Sequence, residues 1–196
     1  MHCLYAHGSM YKVINSNLLF HASLPLTPDG SFKQVRIAGE SYQGKNLFDK
    51  VDVLVRTAYF GDTGSKEKQF ALDYMWYLWC GPDSPLFDKN KMATFENYFL
   101  KDAEIKEEQK GCYYIFRDTE KTCDMILREF GISGAHAHIV NGHVPVKAIQ
   151  GEQPIRANGK MLVIDGGFSK AYQPETGIAG YTCLLYTSPS PRDYAA

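Results

Sequence analysis

Ile139-Val140-Asn141-Gly142-His143-Val144-Pro145-Val146 and, further on, Leu162-Val163-Ile164-Asp165-Gly166-Gly167 are two apolar runs that each break off into a turn. A run ending abruptly in Asn-Gly-His sets an imidazole at the carboxyl end of a strand, where open α/β sheets gather ligands. Imidazole is a good ligand for Mn, Fe or Zn. Upstream, Leu18-Leu19-Phe20 is a shorter run, with His21 just past it and Leu24-Pro25 breaking the strand. A histidine beside an apolar run is also an ordinary hydrogen-bonded core or loop residue. Both readings stand for His21 and His143.

Working outward from these turns, Cys112–Phe116 reads as a strand, and Asp118 or Thr119 caps a helix carrying Cys123, Ile126, Leu127 and Phe130. Gly131 ends that helix and a strand over Ala137–Val140 follows. The order predicts a strand–helix–strand unit with parallel strands and a right-handed crossover. His136 and His138, before or within the strand, read as packing residues. The polar stretch Gln150–Gly159 then leads into a final strand, Met161–Asp165.

Towards the amino terminus, Leu47, Val51, Leu54, Val55 and Ala58 share one face of a helix. A second helix runs from Lys66 to Cys80, striped by Phe70, Ala71, Tyr74, Met75 and Leu78 and stopped by Gly81-Pro82. The aromatics Tyr74, Trp76, Tyr77 and Trp79 resemble a base-stacking platform, but at helical spacing they are read as core or interface packing. Between Gly81 and Lys110 lie turns and a helix within Met92–Phe99, and the charge run Lys101–Lys110 is read as a solvated face. The fold class is α/β.

At 196 residues and 44% hydrophobic the chain can bury a substantial core. Its 21 basic and 22 acidic side chains leave a net charge of -1, which gives no electrostatic case for nucleic acid or an anionic membrane. There is no apolar span long enough for a bilayer and no signal-peptide pattern at the start, so a cytoplasmic location is expected. The five cysteines lack CxxC pairing, which predicts reduced, mostly buried thiols. Residues Cys183 to Asp193 match the conceptual translation of a transposase adapter used in shotgun sequencing, so 183–196 is read as a non-native tail. A flexible Ser-Pro tail is the other reading.

LLFHASLP from Leu18 to Pro25, Trp76-Tyr77-Leu78-Trp79-Cys80-Gly81-Pro82 with Ser84-Pro85-Leu86-Phe87, and the block Asn141–Gly180 carry a family pattern. Through them the chain resembles the C-terminal part of the bacterial class III fructose-1,6-bisphosphatases, within the calcineurin-like metallophosphatases. The resemblance implies hydrolysis of fructose 1,6-bisphosphate to fructose 6-phosphate in gluconeogenesis, at a dinuclear Mn site whose bridging hydroxide attacks phosphorus. It makes His21 and His143 metal ligands. Asp165 is either the group behind a ligand or a turn cap. Lys147, Arg156, Lys160 and Lys170 are candidates to grip the second phosphate, and are otherwise surface charges.

The family's upstream motifs, of the types DxH, GDxxD and GNHE, are absent. Gly61-Asp62 begins like the second but continues Thr63-Gly64-Ser65. No catalytic residue is therefore assigned, and the metal site must be completed by residues missing from this chain. The expected architecture is part of a metallophosphatase sandwich over 1–182, with a mostly helical insertion over about 62–110. The expected partner is a small sugar bisphosphate, without nucleic acid or membrane, and with an oligomer left open. The rivals are another calcineurin-like phosphoesterase, acting on phosphoproteins or dinucleoside polyphosphates, and a non-catalytic scaffold fragment. The helical insertion argues against the first, because the turns around His21 and His143 would not require it.

Overall fold

The computed structural model describes residues 1–178 and 180–184. Three apolar runs become the central strands of a five-stranded sheet. Its strands are β1 (Tyr11–Ile14), β2 (Asn17–Phe20), β5 (His138–Asn141), β7 (Met161–Val163) and β6 (Ile155–Arg156), in that spatial order. β2, β5 and β7 run parallel, with Leu18 opposite Ile139 and Ile139 opposite Met161. β1 and β6 are antiparallel edges. Asn15 and Ser16 join β1 to β2 at φ 49° and 63°, the left-handed backbone that a two-residue hairpin needs. A separate hairpin pairs β3 (Val35–Ile37) with β4 (Glu40–Tyr42).

The helices are α1 (His2–His7), α2 (Gly44–Phe60), α3 (Lys66–Cys80), α4 (Thr94–Phe99), α5 (Ala103–Lys106), α6 (Tyr113–Phe116), α7 (Glu120–Glu129) and α8 (Gln173–Thr176). One face of the sheet, through Leu18, Phe20, Ile139, Met161 and Val163, packs on Phe48 of α2, Tyr113 of α6 and Cys123, Ile126 and Leu127 of α7. A second core joins α2 and α3 to the β3–β4 hairpin through Val35, Ile37, Leu47, Val51, Leu54, Ala71, Tyr74 and Leu78. Within α3, Ala71, Tyr74 and Leu78 of the predicted stripe are buried and Met75 packs against them, whereas Phe70 is exposed. Ser65 caps the helix by accepting from the Lys68 amide. The other face of the sheet carries Leu19 and Leu162, which are only half-buried.

The strand expected over Cys112–Phe116 is a turn of helix instead, α6. Tyr113 is wholly buried, its amide donates to the Asp88 carboxylate at 3.2 Å, and the Cys112 carbonyl accepts from Ile115 and Phe116. These tertiary anchors override the strand preference of Tyr-Tyr-Ile-Phe. The strand–helix–strand unit is thereby corrected: the parallel neighbours of β5 are β2 and β7. The helix after it behaves as expected, capped by Thr119 and ended at Gly131, whose φ of 74° suits glycine. Other readings change as well. Only Cys123 of the cysteines is buried, His136 is exposed, and of the α3 aromatics Tyr74 is in the core while Trp76 and Trp79, at 59% and 56% exposure, are not, which leaves them the interface alternative. The tail reading of 183–196 falls outside the described residues except for Cys183 and Leu184, which are exposed.

Asp88 supplies a stability test. It is buried at φ 46°, and Gly111 donates to its carbonyl at 2.6 Å with no room for a Cβ beside the carboxylate. Burial pushes its carboxyl up to about 6, and Asp83 adds to this, against the Tyr113 amide and Lys33. The folded state thus binds the proton more tightly than the unfolded chain. The resulting stabilisation is fully present below the ordinary carboxylate pKa and is lost as pH rises through about 6. Urea midpoints are expected to fall between pH 4 and pH 7 by an amount worth roughly 3 kcal/mol at most. Asp88→Asn, which keeps the acceptor and tolerates this φ, should flatten that slope; an unchanged slope would assign it to other groups.

Candidate functional site

Three adjacent parallel strands end on the same edge. His21 follows β2 directly, His143 lies two residues past β5, and Asp165 two past β7. His21 Nε2 and His143 Nδ1 are 3.1 Å apart, with ring centroids 5.0 Å apart and planes at 65°. That distance requires one nitrogen to carry a proton and the other a lone pair, so the pair is incompatible with two imidazolium ions. Their surroundings agree. Crowding by protein strips water from both rings and lowers both pKa values. His143 falls to about 4, with His21 and Lys89 adding to the effect and Asp165 opposing it.

The edge is built by backbone pairing across the strand ends. The Gly142 amide donates to the His21 carbonyl at 3.0 Å, Ile164 to Asn141 at 2.9 Å, and Val146 to Asp165 at 2.8 Å. The loop after β2 is also tied to the Ser84–Phe87 turn, where the Ser23 amide and hydroxyl both donate to the Pro85 carbonyl. His143 itself takes φ 66°. A non-glycine residue in that region stores about 1–2 kcal/mol of strain, which the surrounding pairing sustains.

Asp165 caps the following turn by accepting from the Gly167 amide at 2.8 Å. Among the described residues no three His, Cys, Asp or Glu side chains come close enough to hold a metal ion, so Asp165 does not join the histidines as a third ligand. The rings front a depression of about 770 Å³ lined also by Lys12, Leu19, Val140, Asn141, Asp165 and Phe168.

None of the four predicted cations lines that depression. Arg156 pairs with Asp118 at 3.0 Å and Glu152 at 3.1 Å, and Lys160 with Asp124 at 3.3 Å. Lys147 and Lys170 have no carboxylate within ion-pair distance among the described residues. Among the polar lining residues, Lys12 and Asn141 were given no role from the sequence. Lys12 sits on a strand that its polar-apolar pattern did not announce. Asn141 was visible only as a polar residue closing an apolar run.

Imidazoles and a carboxylate gather at the ends of parallel strands on one edge of an α/β domain, the edge at which open α/β sheets commonly bind ligands. The family model described as Firmicute fructose-1,6-bisphosphatase matches residues 1–190, and the chain belongs to that family. Relatives named fructose-1,6-bisphosphatase class 3 include one from Bacteroides thetaiotaomicron, 66% identical over 188 residues, covering 96% of this chain and 28% of the relative. One from Phocaeicola vulgatus is 64% identical over 95% of this chain and 28% of its own length. Another from Clostridium botulinum is 57% identical over 94% and 28%. The chain thus spans little more than a quarter of the relatives it matches. No solved structure matches it.

Proposed function

We propose that the whole protein to which this chain belongs is a metal-dependent phosphoric monoester hydrolase that converts fructose 1,6-bisphosphate to fructose 6-phosphate and phosphate, in the cytoplasm and as a step of gluconeogenesis. The observation that carries this is the 3.1 Å approach of His21 Nε2 to His143 Nδ1 at parallel strand ends, in a chain of the fructose-1,6-bisphosphatase family. The donor set fits a divalent cation. Burial disfavours the charged form of both rings, a change of tautomer in the ring that donates the shared proton would free both facing lone pairs, and nitrogens about 3 Å apart match neighbouring ligands on one cation with bonds of ~2.1 Å.

In this reading His21 and His143 hold part of a dinuclear Mn site, and carboxylates from the rest of the protein complete it. Such a site supplies an activated hydroxide and neutralises charge on the phosphoryl group. Asp165 sets the electrostatics behind the rings while fixing the Gly166-Gly167 turn. Lys12 joins Lys147 and Lys170 as a candidate for the second phosphate, because it reaches the depression. The half-buried stripe Leu19 and Leu162 supports the finer architectural reading. Strands apolar on both faces are normally covered on both, so the rest of the protein lies over this face as the second layer of a metallophosphatase sandwich, with 62–110 as a helical insertion.

Among the described residues no helix is long and apolar enough to cross a membrane. The full-length protein with Mn²⁺ should release phosphate from fructose 1,6-bisphosphate well above its rate on fructose 6-phosphate, a phosphopeptide or a dinucleoside polyphosphate. Preference for either of the last two would replace the sugar bisphosphatase with a different phosphoesterase.

A further inference from the structure

Asn141 is 2% exposed, although its side chain is an amide. Its Nδ2 donates to the Ala22 carbonyl at 3.1 Å and to the Tyr113 hydroxyl at 2.7 Å. The orientation is not interchangeable, because a carbonyl oxygen only accepts and the amide must turn its nitrogen toward Ala22. Ala22 follows His21, and Asn141 precedes Gly142-His143. One amide therefore ties the backbone behind one histidine to the strand that leads into the other. Tyr113, wholly buried in the sheet–helix core, anchors it from below. The backbone bond from Gly142 to the His21 carbonyl is the only other link between the two turns among the backbone bonds described.

We propose that Asn141 is a positioning residue for the histidine pair, with Tyr113 as its brace: it sets the spacing of His21 Nε2 and His143 Nδ1 and touches no substrate itself. A buried amide at a strand end costs desolvation that a leucine there would avoid. Two directed hydrogen bonds from Nδ2 offset part of that cost, Oδ1 being buried without a partner among the described residues, and they fix the offset between the turns. The inference deepens the proposed function, yet its primary readout needs neither metal nor sugar phosphate.

The test uses this chain with 15N-labelled histidine and no added metal. The wild type is expected to show scalar coupling between His21 Nε2 and His143 Nδ1 across their hydrogen bond. Asn141→Leu should abolish it while the amide signals of Ile139 and Met161 in the core stay in place. Tyr113→Phe, which keeps the ring and removes the oxygen, should weaken it, and decides the matter if Asn141→Leu fails to fold. Coupling retained in a folded Asn141→Leu, or unchanged in Tyr113→Phe where the former does not fold, would overturn the proposal.

In the full-length protein Asn141→Leu should lower kcat by ~10–100-fold, the usual cost of losing a group that orients a ligand, and leave KM near wild type. A kcat unchanged by a variant that has lost the coupling would also overturn it. Loss of coupling in a parent that hydrolyses no sugar bisphosphate would leave the positioning role standing and remove only the assigned substrate.

Discussion

Full-length protein carrying His143→Asn is expected to release phosphate from fructose 1,6-bisphosphate at a rate reduced on the order of 10³-fold, more than the ~10–100-fold that follows loss of an outer partner. Asparagine is the informative replacement because His143 sits at φ 66°, a conformation asparagine accepts with little strain. Alanine would add a backbone penalty to the lost imidazole and blur the result. His21→Ala serves as the companion, since His21 is exposed and its removal leaves the core untouched. If the two imidazoles share one site, the double variant should be no worse than the poorer single one, because groups that act as a unit are not additive. Phosphate release and thermal unfolding measured on the same preparations check this. Near wild-type turnover by a folded His143→Asn would remove the histidine pair from the mechanism. Additive losses would mean that the two rings act separately.

The strand ends could be read before the structure because the three central strands are apolar on both faces, so β2, β5 and β7 stood out as continuous runs and the residues beyond them as turns. The helices α2, α3 and α7 were legible from a stripe at helical spacing, with a recognisable stop for α3 at Gly81-Pro82 and for α7 at Gly131. What failed were elements whose stability is not local. Tyr113–Phe116 has the composition of a strand, but one buried tyrosine pinned to Asp88 makes it helical. The hairpins β1–β2 and β3–β4 are three or four residues to a strand, and turn on Asn15-Ser16 and Ala38-Gly39, so no alternation long enough to detect precedes the turn. The pairing of Arg156 with Asp118 and of Lys160 with Asp124 depends on the start of α7 and the residues just before it lying beside residues 156–160. From the sequence, these cations look the same as Lys12, which reaches the depression. The histidines declared themselves by position; the amide of Asn141 did not, because its partner Tyr113 lies 28 residues away and was assigned to the wrong element.

This chain, expressed alone and supplied with Mn²⁺, is expected to show no phosphate release from fructose 1,6-bisphosphate above background, while the full-length protein turns the substrate over. Two imidazoles 3.1 Å apart provide neighbouring ligands for one cation, and no third His, Cys, Asp or Glu joins them among the described residues. Two divalent ions held close together repel each other. Bridging carboxylates would offset that repulsion, and among the described residues none joins the two histidines. The complete metal site would supply the activated hydroxide, and of the described residues only His21 and His143 would help to hold it. The depression in front of the rings is also floored by Leu19 and Val140 and bordered by Phe168, which is 80% exposed, so a phosphate placed there would still be in contact with water. Electrostatic stabilisation of the transferring group is worth most where water is excluded. The measurement is phosphate release together with Mn²⁺ binding to the purified chain. Weak binding without turnover is the expected pair of results. Turnover matching the full-length protein would show that the ligand set is complete within these residues, and that carboxylates such as Asp165 move in to form it.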